Sequence, residues 1–324
     1  MLKYQNKQPK LVMKKLHLLL FVLTLSLTGC YNDRDDLNPS GNNNPETPEV
    51  PQETDNQFVA EDGEVYFTGL ECSGNGNYNL DTENLLEDLI ISDNLPESFD
   101  LSEFLPPVGN QGELGSCTSW ATSYYMKSFQ EKIESGLPYS EANILSPSYT
   151  YNQLTSDDCG GTSIQETLAL IEEQGVASLE IFPYTENECE TQPDETTIEA
   201  AARARIADYK ALSGENMIAE MKTLLSQQQP IIIGAVLSPE FGKTDNFGLT
   251  AYREHTVDYE EVTCHAMLVV GYNDEFGAFK VVNSWGEAWG DNGFVWIDYL
   301  AFENVGDIEA SFRVINQAYV AYDL

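Results

Sequence analysis

Positive charge is what this chain lacks most. Its 324 residues hold 16 Lys and Arg against 53 Asp and Glu, for a formal net charge of -37. Five of the basic residues (Lys3, Lys7, Lys10, Lys14 and Lys15) fall before residue 16. A surface this acidic repels phosphate backbones, so nucleic acid is excluded as a natural partner. Histidine is almost as scarce. Of three in the chain, only His255 and His265 lie beyond residue 17, so a histidine-based mechanism has two candidate bases. Cysteine numbers six, and no close-spaced ligand pairs accompany the adjacent Cys264 and His265, which argues against a zinc site. No metal or cofactor is called for. There is no internal repeat, and no apolar run after the first thirty residues is long enough to span a bilayer. What is plentiful is apolar side chain, at 42%, which is enough for a substantial core and excludes wholesale disorder.

The N-terminus reads as an export signal. Met13-Lys14-Lys15 makes a charged start, Leu16 to Leu27 is an apolar run, and Leu27-Thr28-Gly29-Cys30 follows. The run is too short for a comfortable permanent span. Small residues before a cysteine resemble a bacterial lipobox, which implies cleavage before Cys30 and lipidation of its thiol; an ordinary secretory signal with a chance cysteine is the lesser alternative. Residues 1–29 are then a signal peptide, and the mature protein is a membrane-anchored lipoprotein of the outer membrane. Asp33, Asp35 and Asp36 resemble signals that send some lipoproteins to the cell surface, and read equally well as a solvated run in a tether.

Residues 30–56 are mostly Asn, Pro, Glu, Asp, Thr and Ser, and form a disordered tether. Residues 57–94 are an N-terminal extension or pro-region, with a strand over Val65–Phe67, a loop over Cys72–Tyr78 and a modest helix over Leu85–Ile91. From residue 95 to 324 the pattern is that of one larger domain. A helix is expected from Cys117 through Glu134, with Cys117, Ala121, Tyr125, Phe129 and Ile133 on one face. A second covers Ile164–Gln174, with Ser163 and Glu166 as capping box and Gly175 as stop. A third covers Asn216–Gln227. Short apolar runs then follow over Ile231–Leu237, Ala266–Tyr272, Phe279–Asn283 and Phe294–Tyr299, separated by Gly, Asn and Asp. Helices first and antiparallel strands second predict an α+β fold with two lobes.

A thiol hydrolase needs a thiolate, a base, a group that orients the base, and donors for the developing oxyanion. Cys117 follows a turn-rich stretch, Gly109 to Ser116, and opens a helix whose dipole favours the thiolate. A lone buried cysteine is more often inert packing, but such a cysteine rarely follows two glycines in a loop. His265 enters an apolar strand, whereas His255 sits in the polar stretch Tyr252-Arg253-Glu254-His255, expected to be exposed loop.

Gln111-Gly112, Gly115-Ser116-Cys117, His265-Ala266 and Asn283-Ser284-Trp285-Gly286 resemble, in order and spacing, the motifs of papain-family cysteine peptidases. The resemblance covers about 230 residues. It implies a two-lobed papain-like fold with the site in the cleft between the lobes. Cys117 would be the nucleophile, His265 its ion-pair partner and Asn283 the group orienting the imidazole. Gln111, with the Cys117 N–H, would make the oxyanion hole. Trp285 would shield the Asn283–His265 hydrogen bond from water. The substrate is expected to be peptide or protein, the protein a monomer.

Departures from the family pattern stand out. Leu114 and Thr118 replace a family cysteine and a family aromatic, with Trp120 on another helix face. The Cys-x-Gly-Gly loop that holds substrate backbone in the family appears as Cys159-Gly160-Gly161, one residue short. The helical inhibitory pro-segment of the family's well-known members has no match. Cys159 and Cys189 correspond roughly to family cysteines that have each lost a partner, which makes them the natural disulfide. It would close a loop of about 30 residues and contribute roughly 3–4 kcal/mol. Cys72 and Cys264 remain, either joined as a latch that pins the extension at the cleft or, as favoured here, as two unpaired thiols with Cys264 lining the cleft wall. Rival readings are a non-catalytic binding protein on the same fold, and a thiol amidase or acyltransferase acting on a non-peptide substrate.

Overall fold

The computed structural model describes residues 56–71, 79–87, 89–155, 158–213, 216–258, 263–303 and 311–324. The readings made for Cys30, the signal, the tether and Cys72 fall outside them.

Helix formation starts where the turn-rich stretch stops. The backbone is α-helical over Cys117–Ser119, widens to a π-helix over Trp120–Lys127 and returns to α-helix over Ser128–Ser135. Gly136, at φ 65°, ends it. Every residue from Leu114 through Gln130 is buried, so this helix is sheathed on all sides rather than along one stripe. The last turn emerges into solvent, and Ile133, expected on the buried face, is 39% exposed. Lys127 is fully buried, yet its Nζ lies 2.7 Å from Glu131 and 2.6 Å from Asp323, which ties the helix to the C-terminus. The remaining α-helices are Pro147–Leu154, Ile164–Gln174, Glu195–Ala201 and Met217–Ser226. The Ser163 hydroxyl accepts from the Glu166 N–H and Gly175 closes the C-terminus, as the capping pattern predicts.

In chain order the strands are β1 (Gln57–Val59), β2 (Val65–Phe67), β3 (Ser98–Asp100), β4 (Ile206–Ala211), β5 (Ile231–Leu237), β6 (Lys243–Thr244) and β7 (Thr250–Tyr252). They continue with β8 (Thr256–Asp258), β9 (Thr263–Asn273), β10 (Ala278–Val282), β11 (Phe294–Asp298), β12 (Ser311–Arg313) and β13 (Ile315–Asp323). The main sheet runs β4-β13-β5-β9-β10-β11-β7-β6, with β3 also paired to β9. All of its pairings are antiparallel except that of β11 with β7. β5 is apolar throughout and buried on both faces, β13 on one side and β9 on the other. This is the α+β architecture expected.

β1 and β2 form a separate antiparallel hairpin with Phe58 opposite Tyr66. The helix expected over Leu85–Ile91 does not form. Asn84 to Leu86 instead lie along the edge of β4, where Leu86 donates to the Ala211 carbonyl and Ala211 to that of Asn84. An open sheet edge offers these backbone groups partners that a short solvated helix cannot match. Ile90 is 87% exposed, so no apolar face was available to hold such a helix down.

Candidate active site

Cys117 is the first residue of its helix, where the N–H has no intrahelical partner. Its Sγ accepts a hydrogen bond of 3.3 Å from the Ala266 N–H on β9. The residue before Ala266 is His265, so the strand that carries the imidazole also touches the thiol. His265 Nε2 meets Asn283 Oδ1 at 2.7 Å. Because Oδ1 also accepts the Ser284 N–H at 2.7 Å, it acts only as acceptor, and Nε2 must carry the proton. Nδ1 is buried with no partner among the described residues, which leaves it as the nitrogen able to exchange a proton with the thiol. Trp285 stacks on the imidazole, with ring centroids 4.7 Å apart. Asn283 follows β10, and Tyr125 on the π-helical stretch donates to its carbonyl at 2.9 Å. The structure therefore brings Cys117, His265, Asn283 and Trp285 together.

Gln111 joins them. Ser284 Oγ donates to Gln111 Oε1 at 2.6 Å, which turns Nε2 toward two carbonyls, those of Leu114 at 2.8 Å and Thr68 at 2.9 Å. Tyr184 adds a brace, its hydroxyl donating to the Gln111 carbonyl at 2.7 Å and lying 2.8 Å from Ser116 Oγ. Sequence reasoning missed Tyr125, Tyr184 and the part played by Ser284. Only Ser284 carried a signal, its place inside the Asn283 to Gly286 motif.

The Thr68 carbonyl comes from the N-terminal extension, which fills the cleft. Phe58 and Tyr66 stack on Trp285 at 5.5 and 4.6 Å, and Trp285 Nε1 donates to the Phe67 carbonyl at 2.7 Å. Thr68 Oγ1 lies 2.9 Å from Thr263 Oγ1. Beyond Gly69 the chain enters the Gly160-Gly161 loop as a parallel strand. Thr162 donates to the Gly69 carbonyl at 2.8 Å, Glu71 to that of Thr162 at 3.4 Å, and Leu70 to that of Cys264 at 3.3 Å. A Cβ on Gly161 would stand 2.7 Å from the Gly69 carbonyl oxygen, so glycine is what permits the approach. Thr118, in place of a family aromatic, donates to the Thr162 carbonyl at 3.1 Å and props this loop.

Under this cover Cys117, His265, Asn283 and Gln111 are all fully buried. Burial pushes the Cys117 thiol up to about 12, against weaker opposition from the Ala266 and Thr118 hydrogen bonds. It also pushes His265 down to about 4, offset in part by Asn283. Loss of water penalises both charged forms, so the covered pair is a neutral thiol and a neutral imidazole, not the ion pair expected of a resting site.

Cys159 is bonded to Cys189 across 30 residues, as expected, with Cα atoms 5.7 Å apart. Cys264 is buried and also disulfide-bonded, which corrects the reading of it as an unpaired thiol. Its strand is flanked by the extension, which brings the chain leading to Cys72 alongside. His255 lies away from this constellation, with Nε2 3.5 Å from Asp298 and its carbonyl accepting the Val314 N–H.

Residues 95–312 match the family model described as papain family cysteine protease. Cathepsin K of Mus musculus is 26% identical over 235 residues, covering 70% of this chain and 66% of that protein. A cathepsin L-like proteinase of Fasciola hepatica is 24% identical over 214 residues, covering 62% and 60%. The chain thus spans 66% and 60% of the length of these relatives. Among solved structures, xylellain, a cysteine protease from Xylella fastidiosa, superposes with a TM-score of 0.60 at 20% identity, over 80% of this chain and 96% of that one. The bromelain protease from Ananas comosus does so with a TM-score of 0.53 at 21% identity, over 71% and 100%. These structures share the fold.

Proposed function

Because the chain belongs to the papain family of cysteine proteases, we propose that it is a cysteine-type endopeptidase whose nucleophile is Cys117 and whose base is His265. The observation that carries this reading is the Thr68 carbonyl held by Gln111 Nε2. The site already grips a peptide carbonyl where an oxyanion would form, with chain continuing on both sides, as an endopeptidase requires. Once water and substrate replace the extension, the thiol proton passes to His265 Nδ1. The thiolate adds to the scissile carbonyl, and Gln111 and the Cys117 N–H stabilise the oxyanion. Nδ1 returns the proton to the leaving amine. Water, deprotonated by the same nitrogen, then cleaves the thioester and restores the thiol. Asn283 keeps the second ring proton on Nε2 throughout, so that Nδ1 is always the nitrogen that takes up and returns the thiol proton.

Residues 57–71 act as an inhibitory plug of the wrong polarity. The plug's N-terminal side lies on Trp285, which covers His265, and its C-terminal side lies against Thr162. Attack on the Thr68 carbonyl would expel the Gly69 nitrogen toward the Thr162 loop, away from the imidazole that must protonate it. Substrates run the other way, with their acyl side along Gly160 to Thr162. Residues 57–94 thus serve as a pro-region.

Asn283→Ala is expected to lower kcat by about 10- to 100-fold with little change in KM, because the ring loses its fixed tautomer. His255→Ala is expected to stay within about twofold of its parent. Both are read from steady-state hydrolysis of an unstructured peptide, in chains whose plug is displaced by Gly69→Ala. Damage from His255→Ala equal to that from Asn283→Ala would move the base away from His265.

The peptidase is proposed to sit on the outer membrane, anchored by lipid on Cys30 through the tether of residues 30–56. Cys30→Ser should shift most of the protein from the membrane fraction to the soluble one. Unchanged partitioning on immunoblots would dismiss the anchor.

A further inference from the structure

The pocket that receives Leu70 contains a buried amide that no described residue bonds. Ile315 pairs with Ala235 and Gln317 with Gly234, so Asn316 is an extra residue in β13, a bulge opposite β5. Bulges re-aim a side chain, and here Asn316 is turned over Gly234. Asn316 Oδ1 and Leu70 Cδ2 each stand 2.8 Å from the point a Cβ on Gly234 would occupy, with Gln317 Cγ at 2.7 Å. The two atoms are therefore within twice that distance of each other, and the absence of a side chain at Gly234 makes room for both. Leu70 is 4% exposed and Asn316 1%. Among the described residues, neither Oδ1 nor Nδ2 of Asn316 has a hydrogen-bond partner.

An unpaired buried amide is costly, and it persists where something else is meant to satisfy it. Asn316 offers one free acceptor and one free donor. A group that answers both is another primary carboxamide, and asparagine is isosteric with the leucine already seated there. We propose that Asn316 is a specificity-determining residue that selects a carboxamide side chain, asparagine before glutamine, on the acyl side of the scissile bond. This rests on the peptidase reading above. The plug then fills the pocket by shape alone and leaves the amide unanswered, which lets a matching substrate compete for the place.

The test uses full-length protein carrying Gly69→Ala. It is given peptides randomised at the first three residues on the acyl side of one cleavable bond, and products are read by mass spectrometry. Asparagine should be enriched about tenfold over leucine at one of these positions, the worth of one good polar pairing. Asn316→Leu in the same chain should reverse the preference, with Asn316→Ala as a smaller replacement. Leucine preferred with and without the substitution would overturn the specificity and leave the peptidase standing. Failure to cleave any peptide would overturn both. A second readout needs no turnover. Leu70→Asn in the otherwise unaltered chain should lower Tm by about 4 °C less than it does beside Asn316→Leu. Equal shifts in the two backgrounds would also overturn the pairing.

Discussion

Full-length protein carrying Gly69→Ala is expected to hydrolyse an unstructured peptide at least about 100-fold faster than the unaltered chain. Gly69 has φ 129°, and a Cβ there would stand 2.1 Å from the Gly115 carbonyl oxygen. That contact is with backbone in the loop leading to Cys117, so neither side can yield by rotating a side chain. The segment has to leave the cleft around Gly69, and it gives up the Gln111, Thr162 and Cys264 hydrogen bonds as it goes. A population shift of two orders of magnitude needs only about 2.7 kcal/mol, less than such a clash with the loss of those bonds. The same variant should change the reactivity of the thiol. In the covered chain the Cys117 thiol, pushed up to about 12, is almost wholly protonated at neutral pH. Its alkylation by iodoacetamide therefore keeps climbing as pH rises into the strongly alkaline range. In the opened chain water returns, the thiolate is favoured by the helix N-terminus and the imidazolium, and alkylation levels off near neutral pH. Phe58→Ala, which removes one ring from Trp285, should give a smaller gain. Equal peptide rates for Gly69→Ala and the unaltered chain would show that the extension is no barrier.

Cys117→Ala, placed in the opened chain, is expected to abolish turnover, with a loss of at least about 10⁴-fold. Among the described residues the thiol has no substitute, since Cys159, Cys189 and Cys264 are all committed to disulfides. His265→Ala should cost nearly as much, and the double variant little more than either alone, because groups that act as one unit lose their effect together. Both variants are read from initial rates, beside thermal unfolding to show an intact fold. Turnover near the parental value in the purified Cys117→Ala chain would refute the assignment of the nucleophile.

The parts of the structure that could be read from sequence are those whose causes are local. The Ile164–Gln174 helix carries its cap, its apolar face and its stop between Ser163 and Gly175. β5 announces itself as a run of apolar residues, and Cys117, His265 and Asn283 stand in motifs whose spacing reflects fixed chemistry. Features decided by distant partners were illegible. Nothing within residues 57–71 says that Phe58 and Tyr66 will meet Trp285, more than two hundred residues away. The edge of β4 that draws Asn84 to Leu86 out of a helix is equally remote. Ile133 shares the spacing of four with Cys117, but the π-helical stretch and the emergence of the last turn carry it into solvent. Asn316 was invisible for another reason. A bulge depends on the register of two strands, and a one-residue slip would have turned its side chain elsewhere.

The plug is continuous with the domain it blocks, and that sets the terms on which the enzyme can be switched. An inhibitor on the same chain acts at an effective concentration of the order of millimolar, set by the reach of its connection. Dilution does not lower that figure, so an isolated molecule is held as firmly as a crowded one. A free peptide must approach the same concentration to displace it. Because Cys264 is disulfide-bonded, cutting the connection between residues 72 and 94 changes the rule only where that bond does not hold the fragment or has been reduced. The severed piece becomes an ordinary ligand that diffuses away, and inhibition then falls with the volume into which it escapes. Activation would therefore be steep where the surroundings are open and slow where they are confined.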